Sequence, residues 1–280
     1  MSYPIIMTQD YISVLENLLK VANKREVLFF KTDDKYMISL MDNGTLVHVD
    51  TTSKNVQFED EEIGIASMSE FMDYVKATGY PKNGAIKFSQ ETSTKGRLLD
   101  CVVFYDDEVT YRAVVADPTK FIAKYDKKVP SSRDSDPMEL VAKFMLNEED
   151  LARINNDIKM MKKCETFGLT VADKISLYMR GLERQQVTRT IDFTRAKILN
   201  KTILQADSIE KYRLFPSRLF KFMSTFKCEF DVEIRYLESK NIVAFKAFGK
   251  VDVKGGDPVN IYVASPESTS QVMSNFDIVE

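Results

Sequence analysis

An apolar strand that runs straight into a helical start occurs twice in this chain, about 140 residues apart. Ile5-Ile6-Met7-Thr8-Gln9-Asp10-Tyr11 makes the passage first, and Phe144-Met145-Leu146-Asn147-Glu148-Glu149-Asp150-Leu151 makes it again. The halves also end alike, in Val115-Ala116-Asp117-Pro118 and Val263-Ala264-Ser265-Pro266. Solenoid repeats have periods of roughly 20–50 residues, so a single offset of this size marks two copies of a whole domain. Duplication of this kind constrains the fold strongly, because two like domains in one chain often assemble into closed symmetric rings.

The boundary between the copies is legible from polarity. Residues 124–137 are rich in charge, Ser and Pro and lack apolar periodicity, as expected of an exposed connector. The expected organisation is a first domain over 1–123, a connector over 124–137, a second domain over 138–266 and a tail over 267–280. Residues 1–136 hold 17 basic and 22 acidic side chains, net −5, whereas the remainder is net +2. Unlike charge on the two halves suits head-to-tail pairing of unlike edges.

Each half mixes many strands with two helices. Val-, Ile-, Phe- and Tyr-rich runs predict strands over 27–31, 36–41, 46–51, 85–89, 97–105 and 109–115 in the first half. The second half predicts them over 141–146, 167–172, 175–180, 187–193, 229–237, 242–253 and 259–264. Asp42-Asn43-Gly44 between two such runs is a hairpin signal. Apolar stripes at helical spacing predict helices over 8–23 (Tyr11, Leu15, Leu18, Leu19, Ala22) and 67–78 (Phe71, Met72, Val75). The corresponding pair covers 147–163 (Leu151, Ile154, Ile158, Met161) and 215–226 (Leu219, Phe220, Met223, Phe226), with Pro216 in the first turn of the last. Four amphipathic helices against antiparallel strands give an α+β class with helices on one face of the sheets.

Catalytic chemistry finds little to use. His48 is the sole histidine and sits in an apolar run, Leu46-Val47-His48-Val49, so triad and Cys-His nucleophiles are not expected. Cys101, Cys164 and Cys228 are odd in number and lack CxxC spacing, which argues against disulfides and zinc. There is no Walker loop, GxGxxG or HExxH, and Gly255-Gly256-Asp257-Pro258 reads as a turn. Asp33-Asp34, Asp106-Asp107 and residues 59–62 read as solvated turn charge. The expectation is a non-enzyme without cofactor or metal. No run approaches the roughly 18 apolar residues of a membrane span and no basic region precedes an apolar one at the start, so the expected location is the cytoplasm.

The outer helix faces carry the functional signal. Lys20, Lys24 and Arg25 lie at the end of the first helix and Lys76 on the second. Arg153, Lys159, Lys162 and Lys163 belong to the third, and Arg218, Lys221 and Lys227 to the fourth. Lys20, Lys24, Lys162 and Lys163 sit where the macrodipole alone favours cations. Arg153, Arg218 and Lys221 sit early or midway, where it gives no help. In a chain of pI about 5.5, such gathering makes an uneven field able to attract a polyanion locally. No base-reading motif accompanies it, and the helix aromatics fall on the core stripes, so the set reads as a sequence-blind phosphate surface.

The duplication, the four basic-faced helices and the polar connector together resemble the DNA polymerase sliding clamps, and among them those of large tailed bacteriophages. Phe144 to Leu151 followed by Thr170-Val171-Ala172-Asp173-Lys174-Ile175-Ser176-Leu177 is similar to the second-domain entry of that family, and Asn260-Ile261-Tyr262-Val263-Ala264 to its last strand. The resemblance implies two similar clamp domains per chain, with antiparallel sheets outside and two helices per domain on the inner face. It further implies a homotrimeric ring that encircles double-stranded DNA and acts as processivity factor for a replicative DNA polymerase, placed there by an ATP-driven clamp loader. In phage members late-transcription factors are further partners, and the cytoplasm is then the host's. A partner-peptide pocket is implied at Met41, Thr45, Leu46, Tyr262, Val263, Ala264 and Pro266, closed by connector residues 123–129. Residues 182–207, with Arg184, Arg189, Arg195, Lys197 and Lys201, and the tail stand out as insertions relative to shorter phage clamps. Two other readings fit the residues: a monomeric or dimeric polymerase accessory factor of the herpesvirus type, and a phage structural or assembly protein with duplicated β domains. Native mass or light scattering is expected to separate the first of these from a ring and salt-sensitive duplex binding the second, while charge reversal at Arg153, Lys159, Arg218 and Lys221 tests whether the helices line the hole.

Overall fold

The computed structural model describes residues 2–22, 27–32, 35–42, 45–59, 62–92, 98–116, 138–161, 163–171, 174–181, 186–191, 195–200, 202–204 and 213–267. The 124–137 connector, Lys24, Arg25, Lys162 and residues 268–280 lie outside this set. The chain divides into two compact units. Unit 1 holds Met1–Asp42, Leu46–Val129 and Lys250–Ile261; unit 2 holds Asn43–Thr45, Pro130–Gly249 and Tyr262–Glu280.

The first half contributes β1 (Ser2–Pro4), β2 (Ile6–Met7), α1 (Gln9–Ala22), β3 (Val27–Thr32), β4 (Lys35–Asp42), β5 (Thr45–Thr51), β6 (Val56–Gln57), β7 (Glu62–Ile65), α2 (Met68–Ala77), β8 (Ala85–Thr92), β9 (Leu98–Tyr105) and β10 (Thr110–Ala116). The second contributes β11 (Glu139–Leu146), α3 (Glu148–Met160), β12 (Thr166–Val171), β13 (Ile175–Arg180), β14 (Gln186–Ile191), β15 (Ala196–Ile198), β16 (Arg213–Pro216), α4 (Arg218–Thr225), β17 (Phe230–Leu237), β18 (Ile242–Val251) and β19 (Val259–Pro266). From β2 and from β11 the order is the same: strand, helix, five strands, helix, three strands.

Pairing repeats along with order. In unit 1 the entering strand β1 pairs antiparallel with β8, the strand after the second helix, setting Tyr3 opposite Phe88. In unit 2 β11 pairs antiparallel with β17, setting Phe144 opposite Val232. The β7–β3–β4 ladder of unit 1 corresponds to β16–β12–β13 in unit 2. Residues 182–207 were expected as an insertion, yet their described parts form β14 and β15, which hold the places of β5 and β6. Their polar alternation is that of a strand with one solvated face.

Local chemistry explains the helix limits. Tyr11 N–H reaches the Thr8 hydroxyl at 3.3 Å, and Ser67 caps α2 through Glu70 N–H at 3.3 Å. Asn147 and Asp150 form a reciprocal capping box on α3, at 2.8 and 3.1 Å. The helix expected over 215–226 begins only at Arg218. Phe215 and Pro216 instead end β16, opposite Phe167 and Thr166, and Pro216 stands at the strand end, where a missing N–H costs the ladder least. Ser217 offers no cap; its hydroxyl donates to Cys164 O at 2.6 Å, fixing the sharp entry into α4.

Within each unit the two helices lie together over the sheets. Phe71 of α2 packs against Phe29 and Phe104, with ring centroids 5.6 and 5.0 Å apart. Phe220 of α4 packs against Phe167 and Phe245 at 4.6 and 6.1 Å. These side chains are almost fully buried, so truncating any one to Ala costs on the order of 3–5 kcal/mol. Lys76 of α2 bridges to Glu16 of α1 at 3.2 Å, and Asn155 of α3 donates to Phe220 O of α4 at 3.2 Å. The described side chains of the expected stripes are the buried ones, save Leu19 and Ile158, which are half-exposed.

Candidate nucleic-acid interface

The outward faces of the four helices differ in how far their cations are already neutralised. In unit 1, Lys20 is exposed and donates to Asn17 Oδ1 at 2.6 Å, while Lys76 is held by Glu16. Asp73 and Glu70 share the exposed side of α2. Among the described residues this pair of helices therefore presents little uncompensated positive charge.

In unit 2 the balance is reversed by two arginines from the neighbouring strands. Asp157 of α3 is 6% exposed and accepts from Arg189 Nε of β14 at 2.7 Å. Asp150 accepts from Arg195 at 2.7 Å, just before β15. A buried carboxylate requires such a partner, since an isolated one costs several kcal/mol. With Asp150 and Asp157 satisfied from the sheet side, the exposed residues of α3 are Glu148, Glu149, Ala152, Arg153, Asn156, Lys159 and Met160, one arc about 140° wide on a helix turning about 100° per residue. Arg153 pairs with Glu149 one turn back, a solvent-exposed contact worth under about 1 kcal/mol and easily exchanged. Sequence reasoning counted Arg189 and Arg195 as surplus basics; only the fold reveals that they neutralise α3.

The remaining described cations on and beside the two helices of unit 2 stand at helix ends and on the α4 surface. Lys159, Lys163, Lys221 and Lys227 are exposed, and none pairs with a described carboxylate. Lys163 and Lys227 adopt left-handed backbone, φ 56° and 48°, just past the ends of α3 and α4. Glycine is the usual residue there, and Gly79 fills that role after α2 with φ 62°. A lysine in its place sets an ammonium beyond the helix C-terminus, where the macrodipole favours it. Arg218 is half-buried and already partnered, so it contributes less than its position in sequence promised.

The other expected site divides between the units. Met41 and Leu46 belong to unit 1, whereas Thr45, Tyr262, Val263, Ala264 and Pro266 belong to unit 2. The Met41 side chain and residues 123–129 lie outside the described residues. Thr45 and Val263 are fully buried and Ala264 is 8% exposed, whereas Tyr262 is half-buried and Pro266 exposed. Tyr262 packs its ring on Phe248 with centroids 5.1 Å apart.

Groups weighed for chemistry have structural occupations. His48 is 2% exposed on β5, contacts the Ser39 hydroxyl through Nδ1, and is lowered by burial to a pKa of about 4. Asp106 accepts from Glu108 and Val109 N–H groups at 2.8 Å each, closing the β9–β10 turn and holding its carboxyl below the ordinary range. Asp257 accepts from Thr52 at 2.7 Å and Lys54 at 2.8 Å, and its carbonyl from Asn55 at 2.6 Å. A Cβ on Gly256 would stand 1.9 Å from Asn55 Oδ1, so glycine is required for that close approach. Among the described residues no three His, Cys, Asp or Glu converge as a metal site, and no helix is long and apolar enough to cross a membrane.

The fold has close counterparts among solved structures. A. fulgidus PCNA with the C-terminal region of FEN-1 bound is similar over 97% of this chain and 100% of that one, with a TM-score of 0.56 at 16% identity. The proliferating cellular nuclear antigen of Entamoeba histolytica gives 96% and 100% coverage, TM-score 0.55 and 12% identity. PCNA of Thermococcus kodakaraensis gives 95% and 100%, 0.53 and 13%. No family model matches the sequence, and no curated protein matches it. The chain has the sliding-clamp fold: two α+β units of antiparallel sheets, with two helices in each among the described residues.

Proposed function

We propose that the protein is a non-catalytic sliding clamp, three copies of which close head to tail around duplex DNA and tether a DNA polymerase to its template. The observation that carries this reading is a duplicated unit whose helices, in unit 2, expose lysines that no described carboxylate neutralises. Such contacts are sequence-blind and individually weak, as a sliding protein needs. Closure then supplies persistence that affinity does not.

Two strand edges that are open among the described residues would supply the means of closure. Residues 110–114 of β10 pair with β9 on one side only among the described residues, and Val114 there is 57% exposed. β14 is the last strand of its four-stranded sheet. An open edge is a template for another chain, and β10 of one copy meeting β14 of the next would continue the sheet around a ring. The stacked Tyr74–Tyr111 pair, 4.8 Å between centroids, would border that seam. Partner peptides, such as the FEN-1 region bound to A. fulgidus PCNA, would dock at the surface marked by Tyr262 and Pro266. The tailed-phage kinship, with a clamp loader and late-transcription factors as further partners, is the finer part of the proposal; its support is the quoted short stretches around 144–151, 170–177 and 260–264.

The structure sharpens the charge-reversal test by moving it off Arg218, whose substitution would disturb a half-buried side chain. Lys159, Lys163, Lys221 and Lys227 changed together to Glu should leave the fold and oligomer intact and sharply shorten polymerase products in clamp-dependent synthesis. The salt dependence of DNA binding should flatten by up to roughly 0.9 in log–log slope for each phosphate no longer neutralised. Full-length products from the quadruple variant would overturn the assignment of these helices to the DNA.

A further inference from the structure

One chain already holds a template for the meeting of two copies. The Val259–Ile261 part of β19, the last strand of the second half, lies beside β5 of the first, and Asn260 donates to Asp50 Oδ1 at 2.6 Å. Counted within each half, β10 corresponds to β19 and β14 to β5, yet β10 and β14 stand in different sheets. Repeating the template therefore takes β10 from one chain and β14 from another. Among the described residues six large hydrophobics are exposed, and three of them, Tyr105, Val109 and Val114, belong to the β9–β10 hairpin. An edge left to solvent is normally charged instead.

Backbone direction sets the phase of each edge. Asp106 N–H donates to Val109 O at 3.1 Å, so the backbone groups of Val109, Tyr111 and Ala113 face β9, and those of Thr110 and Val114 face away. Arg112 between them is already partnered; its neighbours alone carry the phase. In unit 2, Ser217 N–H donates to Glu165 O at 2.8 Å, so Phe167 and Leu169 face β16 while Gly168 and Thr170 face β13. The alternation turns Leu177 and Met179 toward Arg189 and Val187 of β14, and leaves Gln186, Thr188 and Thr190 facing outward.

Side chains alternate in step. Tyr111 stacks on Tyr74 of α2 and Arg189 bonds Asp157 of α3, so both lie on the helix side of their sheets. Thr110 and Val114, like Gln186, Thr188 and Thr190, point away from the helices. On both edges, then, the residues that offer backbone outward carry side chains on the helix-free side. An edge out of phase would set the helices of neighbouring copies on opposite faces.

We infer that β10 of one copy pairs antiparallel with β14 of the next, Thr110 opposite Thr190 and Val114 opposite Gln186, which sets Tyr111 opposite Arg189 and Ala113 opposite Val187; the inference rests on reading the chain as a ring-forming clamp. This register uses all of 110–114, whereas a shift of two residues either way carries one end past β14. Tyr111 and Arg189 form a non-hydrogen-bonded pair, the closer kind, with Cα atoms about 4.5 Å apart. The Arg189 guanidinium, held by Asp157, then lies over the Tyr111–Tyr74 stack of the neighbouring copy as a cation–π contact. Asp157 of α3 is thereby tied to the next subunit.

Ala113 and Val187 form the other close pair, within disulfide range. The chain carrying Ala113→Cys and Val187→Cys should keep the native mass of wild type when reduced, and give covalent dimers and trimers on a denaturing gel after diamide oxidation. Ala113→Cys with Arg189→Cys, and Tyr111→Cys with Val187→Cys, report a two-residue shift in either direction. They should give less than about a tenth of that product, because diagonal positions stand about 7–8 Å apart. Wild type is the control for its own three cysteines. Tyr111→Leu should raise the concentration at which the particle dissociates, on the order of tenfold at each seam, whereas Tyr111→Phe should not. Cross-linking by a shifted pair instead, no cross-linking in a particle of several chains, or equal dissociation of the Leu and Phe variants would each overturn the inference while leaving the ring standing. A single-chain wild-type particle at every concentration would overturn the ring and this register with it.

Discussion

His48 illustrates how little of this molecule's chemistry is free to react. Burial lowers its pKa to about 4 from an ordinary 6.5, so the folded state keeps it neutral while the unfolded chain takes up a proton as pH falls. Stability from this group is therefore complete above about pH 6.5, is lost as pH falls toward 4, and changes no further below that. The span corresponds to roughly 3 kcal/mol. Urea melts of wild type and His48→Gln between pH 7 and 4 should show that extra slope in wild type alone; parallel slopes would mean His48 is hydrated in the native state. The sequence placed His48 in an apolar strand and its structural occupation was legible there. The burial of Asp157 was not, because a lone aspartate in a helix reads as surface until its arginine is seen.

At the scale of elements, α3 depends on β14. Arg189→Gln leaves Asp157 with a neutral partner at 6% exposure and should cost about 2 kcal/mol, less than a fully buried pair because Arg189 keeps 31% side-chain exposure. Hydrogen exchange should show amides 154–160 losing protection ahead of α4; unchanged protection there would remove β14 from the account of α3. Caps and stripes made α1, α2 and α3 legible to within a few residues, because Thr8, Ser67 and Asn147 act through local bonds. The start of α4 was misread because Pro216 suits either a helix's first turn or a strand's last position, and only the Phe215–Phe167 pairing decides. The short strands β1, β6, β7, β15 and β16 escaped notice since two to four residues carry no period.

For the whole molecule, duplication was the most legible property, since it needs only the chain to be compared with itself. The exchange of short stretches between halves, Lys250–Ile261 into unit 1 and Asn43–Thr45 into unit 2, has no sequence signal; Asp257 must find Thr52, Lys54 and Asn55 some 200 residues away. Closure, as proposed, is a property above the single chain: it would join the β10 edge of one copy to the β14 edge of the next. The most direct test combines native mass with retention on DNA. The account predicts three chains of 32.1 kDa, about 96 kDa, loaded on a nicked circle, resistant to dilution there and released once the circle is cut. A particle of one chain, or equal loss from circular and linear DNA, would contradict it.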